Sequence, residues 1–145
     1  MAQRVRSVLM ANGAEHVMVF CGDDGLDELT TTTTSHVYEY RNGETLDYVV
    51  DPIDYGIARA SHADLLGGDA ARNATVIDAV LGGSRDAARD IAVLNAAAAL
   101  QVADLATDWD EGIALAELAI DSGRAASTLD AWRTVALAVA AQETA

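Results

Sequence analysis

The sequence has no lysine: its nine basic residues are all arginines, and they stand against 23 acids for a formal net charge of −14 at pH 7. Such a surface repels nucleic acid and anionic lipid, because phosphate binding needs a basic footprint. It is an ordinary solubility device, and the same field also suits divalent cations. With a single cysteine, Cys21, an internal disulfide framework and a multi-thiolate zinc site are both excluded, and we read the thiol as structural. The three histidines, at positions 16, 36 and 62, lack the close spacing of a zinc site on a helix. No serine sits in a G-x-S-x-G setting, which argues against nucleophilic hydrolysis. No window approaches the roughly 18 apolar residues of a membrane span, and residues 1–13 lack the long apolar core of a signal peptide. The expectation is a cytoplasmic protein without nucleic-acid or membrane partners.

What is present is a 145-residue chain with 51% hydrophobic residues and a mean hydropathy of +0.13, enough for one domain with a real core. Val5, Val8 and Leu9 at helical spacing, with Gly13 placed to stop the helix, predict a helix over 2–12. The uninterrupted apolar run 16–20 reads as a buried strand of the kind found inside parallel sheets. Alternation over 34–40, Asn42-Gly43 and the return run 45–50 predict an antiparallel hairpin. The only proline, Pro52, closes it.

Everything beyond reads as helix. Ser61 with Asp64 predicts an N-cap for a short helix ended by Gly67-Gly68, and Asp69 caps 70–81. The segment 85–103 is apolar nearly all round and should be the most buried helix. Asn95 lies inside it and must find partners, since an unsatisfied buried amide costs about 1–3 kcal/mol. Thr107 with Asp110, and Ser127 with Asp130, predict caps for helices over 108–122 and 128–142. Thirty alanines, concentrated in these helices, should let them pack closely. The expected fold class is α/β: a partial sheet of one buried strand plus an antiparallel hairpin, packed with five or six helices. So small a sheet cannot cover that many apolar helix faces, which implies further strands from a partner or a longer protein.

Chemistry concentrates in Cys21 to Leu29, where Asp23, Asp24, Asp27 and Glu28 and two glycines follow the first strand. Ligands of open α/β sheets bind at such strand ends. Asp27 and Glu28 are candidate Mg²⁺ ligands, because magnesium takes only one or two protein carboxylates and draws the rest from water and phosphate. A solvated acidic turn is the alternative. Asp23 and Asp24 either join that site or, for Asp23, cap the turn. Gly67-Gly68-Asp69 superficially suggests a phosphate loop, but Asp69 puts negative charge where the anion would sit. Arg59 pairs with an acid of the 23–28 loop or makes an ordinary ion pair. Trp109, Trp132 and the tyrosines read as core or interface.

Asp24-Gly25-Leu26-Asp27-Glu28-Leu29 with the threonines after it, Ala58-Arg59-Ala60, Leu66-Gly67-Gly68-Asp69-Ala70 with Asn73-Ala74, and Leu94-Asn95-Ala96-Ala97-Ala98 together resemble the C-terminal part of the anthranilate phosphoribosyltransferase family. The threonine-rich form looks like its actinobacterial branch. The resemblance covers nearly the whole chain and implies that 1–145 is the C-terminal part of a phosphoribosyltransferase α/β domain, with the N-terminal helical domain and glycine-rich loop absent. It implies transfer of phosphoribosyl from phosphoribosyl pyrophosphate to anthranilate in tryptophan biosynthesis, with Asp27 and Glu28 holding Mg²⁺. It names no catalytic residue here and places the glycine-rich pyrophosphate loop, the ribose-phosphate contacts and the residues that grip anthranilate upstream, so the segment alone is expected to be inactive. Cys21 stands where many members have histidine. The alternative reading, from a different class, is a non-catalytic interaction module that pairs its exposed sheet edge with a partner or a second copy, as a homodimer or domain-swapped oligomer.

Overall fold

In the computed structural model, which describes residues 1–143, helix α1 (Ala2–Ala11) leads into strand β1 (His16–Gly22), and β2 (Ser35–Arg41) and β3 (Glu44–Val50) follow. Single 3-10 turns at Pro52–Tyr55 and His62–Leu65 precede helices α2 (Ala70–Leu81), α3 (Ala87–Val102), α4 (Trp109–Asp121) and α5 (Arg124–Glu143). The chain is α/β, as expected. The sheet order is β1-β2-β3 and every pairing is antiparallel.

That orientation corrects the reading of 16–20 as a buried strand of parallel-sheet type. β1 pairs with β2 from His16 opposite Arg41 to Gly22 opposite Ser35. Only Val17 and Gly22 are buried in it. The connection 23–34 contains no helix, and a chain that turns back without a crossover helix pairs antiparallel. The hairpin forms as predicted, with Asn42 at φ 53° and Gly43 at φ 85°, the two left-handed positions that Asn-Gly supplies most cheaply.

The core gathers Val37, Val50, Leu29 and Ile57 from the sheet side against Leu94, Ala97 and Ala98 of α3 and Trp109 of α4. Alanine does allow close helix packing. A Cβ added at Gly112 would lie 3.0 Å from the Ala97 Cβ and carbonyl oxygen, so α4 meets α3 almost backbone to backbone. α1 packs in the opposite sense to its apolar stripe: Val5, Val8 and Leu9 are exposed, and the buried residue is Arg6. Its guanidinium donates to the Glu39 and Leu46 carbonyls at 3.1 and 3.3 Å and pairs with the Asp47 carboxylate. Beneath α1 the paired strands β2 and β3 offer acceptors, and the arginine satisfies them.

Helix ends follow local chemistry, with two corrections. Asp69 and Asp86 accept from the N–H of Arg72 and Arg89, and Ser61 with Asp64 forms a capping box on a 3-10 turn. The cap of α4 is Asp108 rather than Thr107, whose hydroxyl instead donates to Glu111 at 2.8 Å. α5 begins at Arg124 rather than near Thr128, directly after Gly123 (φ 77°), and Ser127 sits inside it with its hydroxyl on the Gly123 carbonyl. Thr107 and Asp108 compete for one cap at the start of α4, and the one whose side chain accepts from the N3 amide, that of Glu111, takes it.

Candidate functional site

The loop after β1 is tied down residue by residue. The Gly22 N–H donates to the Leu26 carbonyl at 2.9 Å, and the Gly25 N–H returns to Gly22 at 3.0 Å. Asp24 turns inward: its carboxylate accepts from the Leu26 N–H at 3.1 Å, from the Thr30 hydroxyl at 2.6 Å and from the Thr32 hydroxyl. Burial would raise the Asp24 pKa, but these hydrogen bonds from Thr30, Thr32 and Leu26 outweigh it and hold the carboxyl below its ordinary value. The threonine run is therefore the internal partner of Asp24, with Thr30 and Thr31 fully buried. Gly22 is required by the same network, because a Cβ there would lie 2.4 Å from the Asp24 carboxylate. Asp23 accepts from the Thr34 hydroxyl and stands 3.3 Å from His36 Nε2. So Asp24, not Asp23, makes the side-chain turn.

Asp27 and Glu28 are arranged differently. Both are exposed, and among the described residues neither carboxylate has a hydrogen-bond or ion-pair partner. On their far side, the Leu29 N–H donates to Asn95 Oδ1 at 3.0 Å and Asn95 Nδ2 donates back to the Leu29 carbonyl at 2.8 Å. Asn95 thus finds its partners in the acidic loop and, at 3.0 Å, in the Ile91 carbonyl. No group of three or more His, Cys, Asp or Glu side chains converges on a metal position among the described residues.

Glu28 lines a cleft of about 790 Å³ between this loop, the 58–67 connection, α2 and the start of α3. Arg59, Arg72, Asn73, Asp86 and Asp90 share the lining. Arg59 does not pair with the acidic loop as one reading had it; its partner is Asp51, at 2.7 Å. Burial and the neighbouring Asp86 push the Asp90 pKa up. Gly67-Gly68 is no anion cradle: the Gly68 N–H donates to Asn73 Oδ1 at 2.8 Å, and Asp69 occupies the α2 terminus. The histidines stay apart, with His16 buried beside Glu39 at 3.1 Å. Neither the Asn95 clamp nor the threonine network was visible in spacing, although Asp followed by Gly and a hydroxyl run is the composition of a side-chain-closed turn.

Fold and loop define an α/β protein in which the end of β1 leads into two uncommitted acids beside a cleft. The profile described as "Glycosyl transferase family, a/b domain" matches residues 1–126, and the chain belongs to that family. It is 44% identical over 132 residues to anthranilate phosphoribosyltransferase 2 of Streptomyces coelicolor, covering 91% of this chain and 39% of that protein. It is 52% identical over 117 residues to the anthranilate phosphoribosyltransferase of Maricaulis maris, covering 81% and 34%. Among solved structures, that of anthranilate phosphoribosyltransferase from Thermus thermophilus superposes with a TM-score of 0.81 at 29% identity, over 90% of this chain and 38% of that one. The Saccharomyces cerevisiae enzyme in complex with PRPP and Mg shares the fold, with a TM-score of 0.77 at 20% identity over 88% of this chain and 37% of that one. The chain thus spans little more than a third of the length of the relatives it matches.

Proposed function

We propose that residues 1–145 act as the C-terminal part of the α/β domain of an anthranilate phosphoribosyltransferase, which moves phosphoribosyl from phosphoribosyl pyrophosphate to anthranilate in tryptophan biosynthesis. The share of each relative that the chain matches supports this reading, and so does the continuity of the match through the acidic loop. Asp27 and Glu28 are the Mg²⁺ ligands in this reading. The observation that carries it is the division of labour in one loop: Asp23 and Asp24 are bound to internal donors, while Asp27 and Glu28 are exposed and uncommitted. Two adjacent carboxylates are a fitting donor set for a hard divalent ion that takes its other ligands from water and pyrophosphate.

What such an ion supplies when bound is neutralisation of the leaving pyrophosphate. The chain's own part is to hold two adjacent carboxylates without competing partners, Glu28 lining the cleft and Asp27 next to it in the chain. Asp24 and the threonines keep the loop from collapsing onto them. The groups that grip ribose phosphate and anthranilate belong, in this proposal, to other parts of the transferase, so the segment by itself is inactive. It works in the cytoplasm. Among the described residues no helix is long and apolar enough to cross a membrane.

Joining this segment to the upstream part of the Streptomyces coelicolor relative and assaying phosphoribosyl-anthranilate formation tests the proposal. The chimera is expected to turn over with Mg²⁺, and Asp27→Asn with Glu28→Gln to lower kcat/KM by about 10²-fold or more. Turnover by residues 1–145 alone, or a double variant with unchanged Mg²⁺ dependence, would overturn it. A second reading, an interaction module, draws support from the outer edges of β1 and β3, which have no strand partner among the described residues. Light scattering on the segment decides that point, since a stable monomer counts against edge pairing.

A further inference from the structure

We propose that Asn95 is a positioning residue for the Asp27–Glu28 pair; the inference rests on the reading of that pair as metal ligands. The loop has two fixed points. Leu26 is held at both backbone groups, its N–H by Asp24 and its carbonyl by the Gly22 N–H. Leu29, wholly buried, is held at both as well, its N–H and its carbonyl by the single amide of Asn95. Asp27 and Glu28 are the two residues between these anchors, so they form an arch whose ends are set and whose side chains are free.

Asparagine is the side chain this clamp needs. It must accept and donate through one planar group, as a neighbouring strand would. Aspartate lacks the donor, and leucine and alanine lack both. Asn95 is also a poor choice for its own helix, since Asn has low helix propensity and stands within an otherwise apolar run, Val93 to Leu100. Its third hydrogen bond, to the Ile91 carbonyl, orients the amide on α3. The clamp thereby references the acid pair to the most buried helix of the fold instead of leaving it to a surface loop. Groups that orient ligands in this way typically change metal affinity about 10- to 100-fold when removed.

The test uses the chimera described above. Asn95→Asp is expected to weaken Mg²⁺ binding in the presence of pyrophosphate, read by calorimetry without turnover, by about 10-fold. The Mg²⁺ concentration for half-maximal rate should rise in parallel, while KM for anthranilate changes less than about twofold. Leu137→Ala, at an exposed position of α5, is the control and should leave the Mg²⁺ response unchanged. In the wild type, the Leu29 amide should exchange with solvent as slowly as the α3 amides, and the Asp27 amide quickly. If Glu28→Gln shifts the Mg²⁺ response and Asn95→Asp does not, the positioning role is refuted and the ligand reading stands. If neither shifts it, the ligand reading is wrong and the role of Asn95 falls with it. Should Asn95→Asp fail to fold, fast exchange at Leu29 in the wild type would by itself overturn the clamp.

Discussion

Arg89 is 2% exposed and lies between α3 and α4, with Nη1 2.8 Å from the Asp121 carboxylate. The contact is close in charge but poorly directed, and neither Nη1 nor Nη2 has a hydrogen-bond partner. Desolvating a cation costs several kcal/mol, and one anion that is itself 40% exposed returns only part of it, because solvent screens the pair. Arg89→Met keeps most of the packed stem and removes the buried charge. It is expected to fall between neutral and about 2 kcal/mol more stable. Asp121→Asn leaves the guanidinium buried without its anion. The full penalty for breaking a buried pair is about 3–5 kcal/mol, and the exposure of Asp121 reduces the expected loss to about 1–3 kcal/mol, to which the exposed pair with Arg85 at 3.4 Å adds little. In the double variant the loss should vanish, giving a coupling of about 1–3 kcal/mol. Urea unfolding of the wild type, both single variants and the double variant, followed by circular dichroism, measures all of these terms. A loss above about 2 kcal/mol for Arg89→Met, or additive single effects, would refute the reasoning, because Arg89 would then be earning its place through contacts rather than through its pair.

Two further outcomes follow from the loop and the helix contact. Asp24 has a folded-state pKa below its ordinary 3.8, so its contribution is complete above that value and is lost as pH falls beneath it. Asp24→Asn should therefore cost about 1–2 kcal/mol near neutral pH and progressively less below about pH 4, read from thermal unfolding across the range; a constant difference at every pH would count against it. Gly112→Ala gains about 1 kcal/mol of helix propensity but forces a methyl to within 3.0–3.1 Å of the Ala97 backbone and Cβ. Overpacking of about 1–3 kcal/mol should win, leaving the variant about 1 kcal/mol less stable, and a stabilised variant would show that α3 and α4 separate easily.

Much of this molecule is written in short-range pattern. Asn42-Gly43 specifies its own turn, Asp69 its own cap, and the apolar run 91–100 a buried helix, because each rests on chemistry within one turn or one ladder step. The resemblance carried by Asp24 to Leu29 and its companion motifs likewise reached the family that the comparisons show. Other features depend on which groups meet across the fold. The orientation of β1 rests on the connection 23–34 returning without a helix. The burial of Arg6 in place of Val5, Val8 and Leu9 rests on the acceptors that β2 and β3 present beneath α1. Arg59 goes to Asp51 because the 3-10 turn after Pro52 brings them together.

The acidic stretch divides along the same line. By itself the sequence determined that four carboxylates would crowd one loop after a strand, and that Asn95 would need partners inside its helix. Only the tertiary structure decided that Asp23 and Asp24 turn to the threonines and His36, that Asp27 and Glu28 stay uncommitted, and that Asn95 takes both backbone groups of Leu29. The physical reason is range. Propensity and periodicity act between neighbours in the chain, whereas a hydrogen bond joining residues 29 and 95 exists only once α3 has been packed against the sheet.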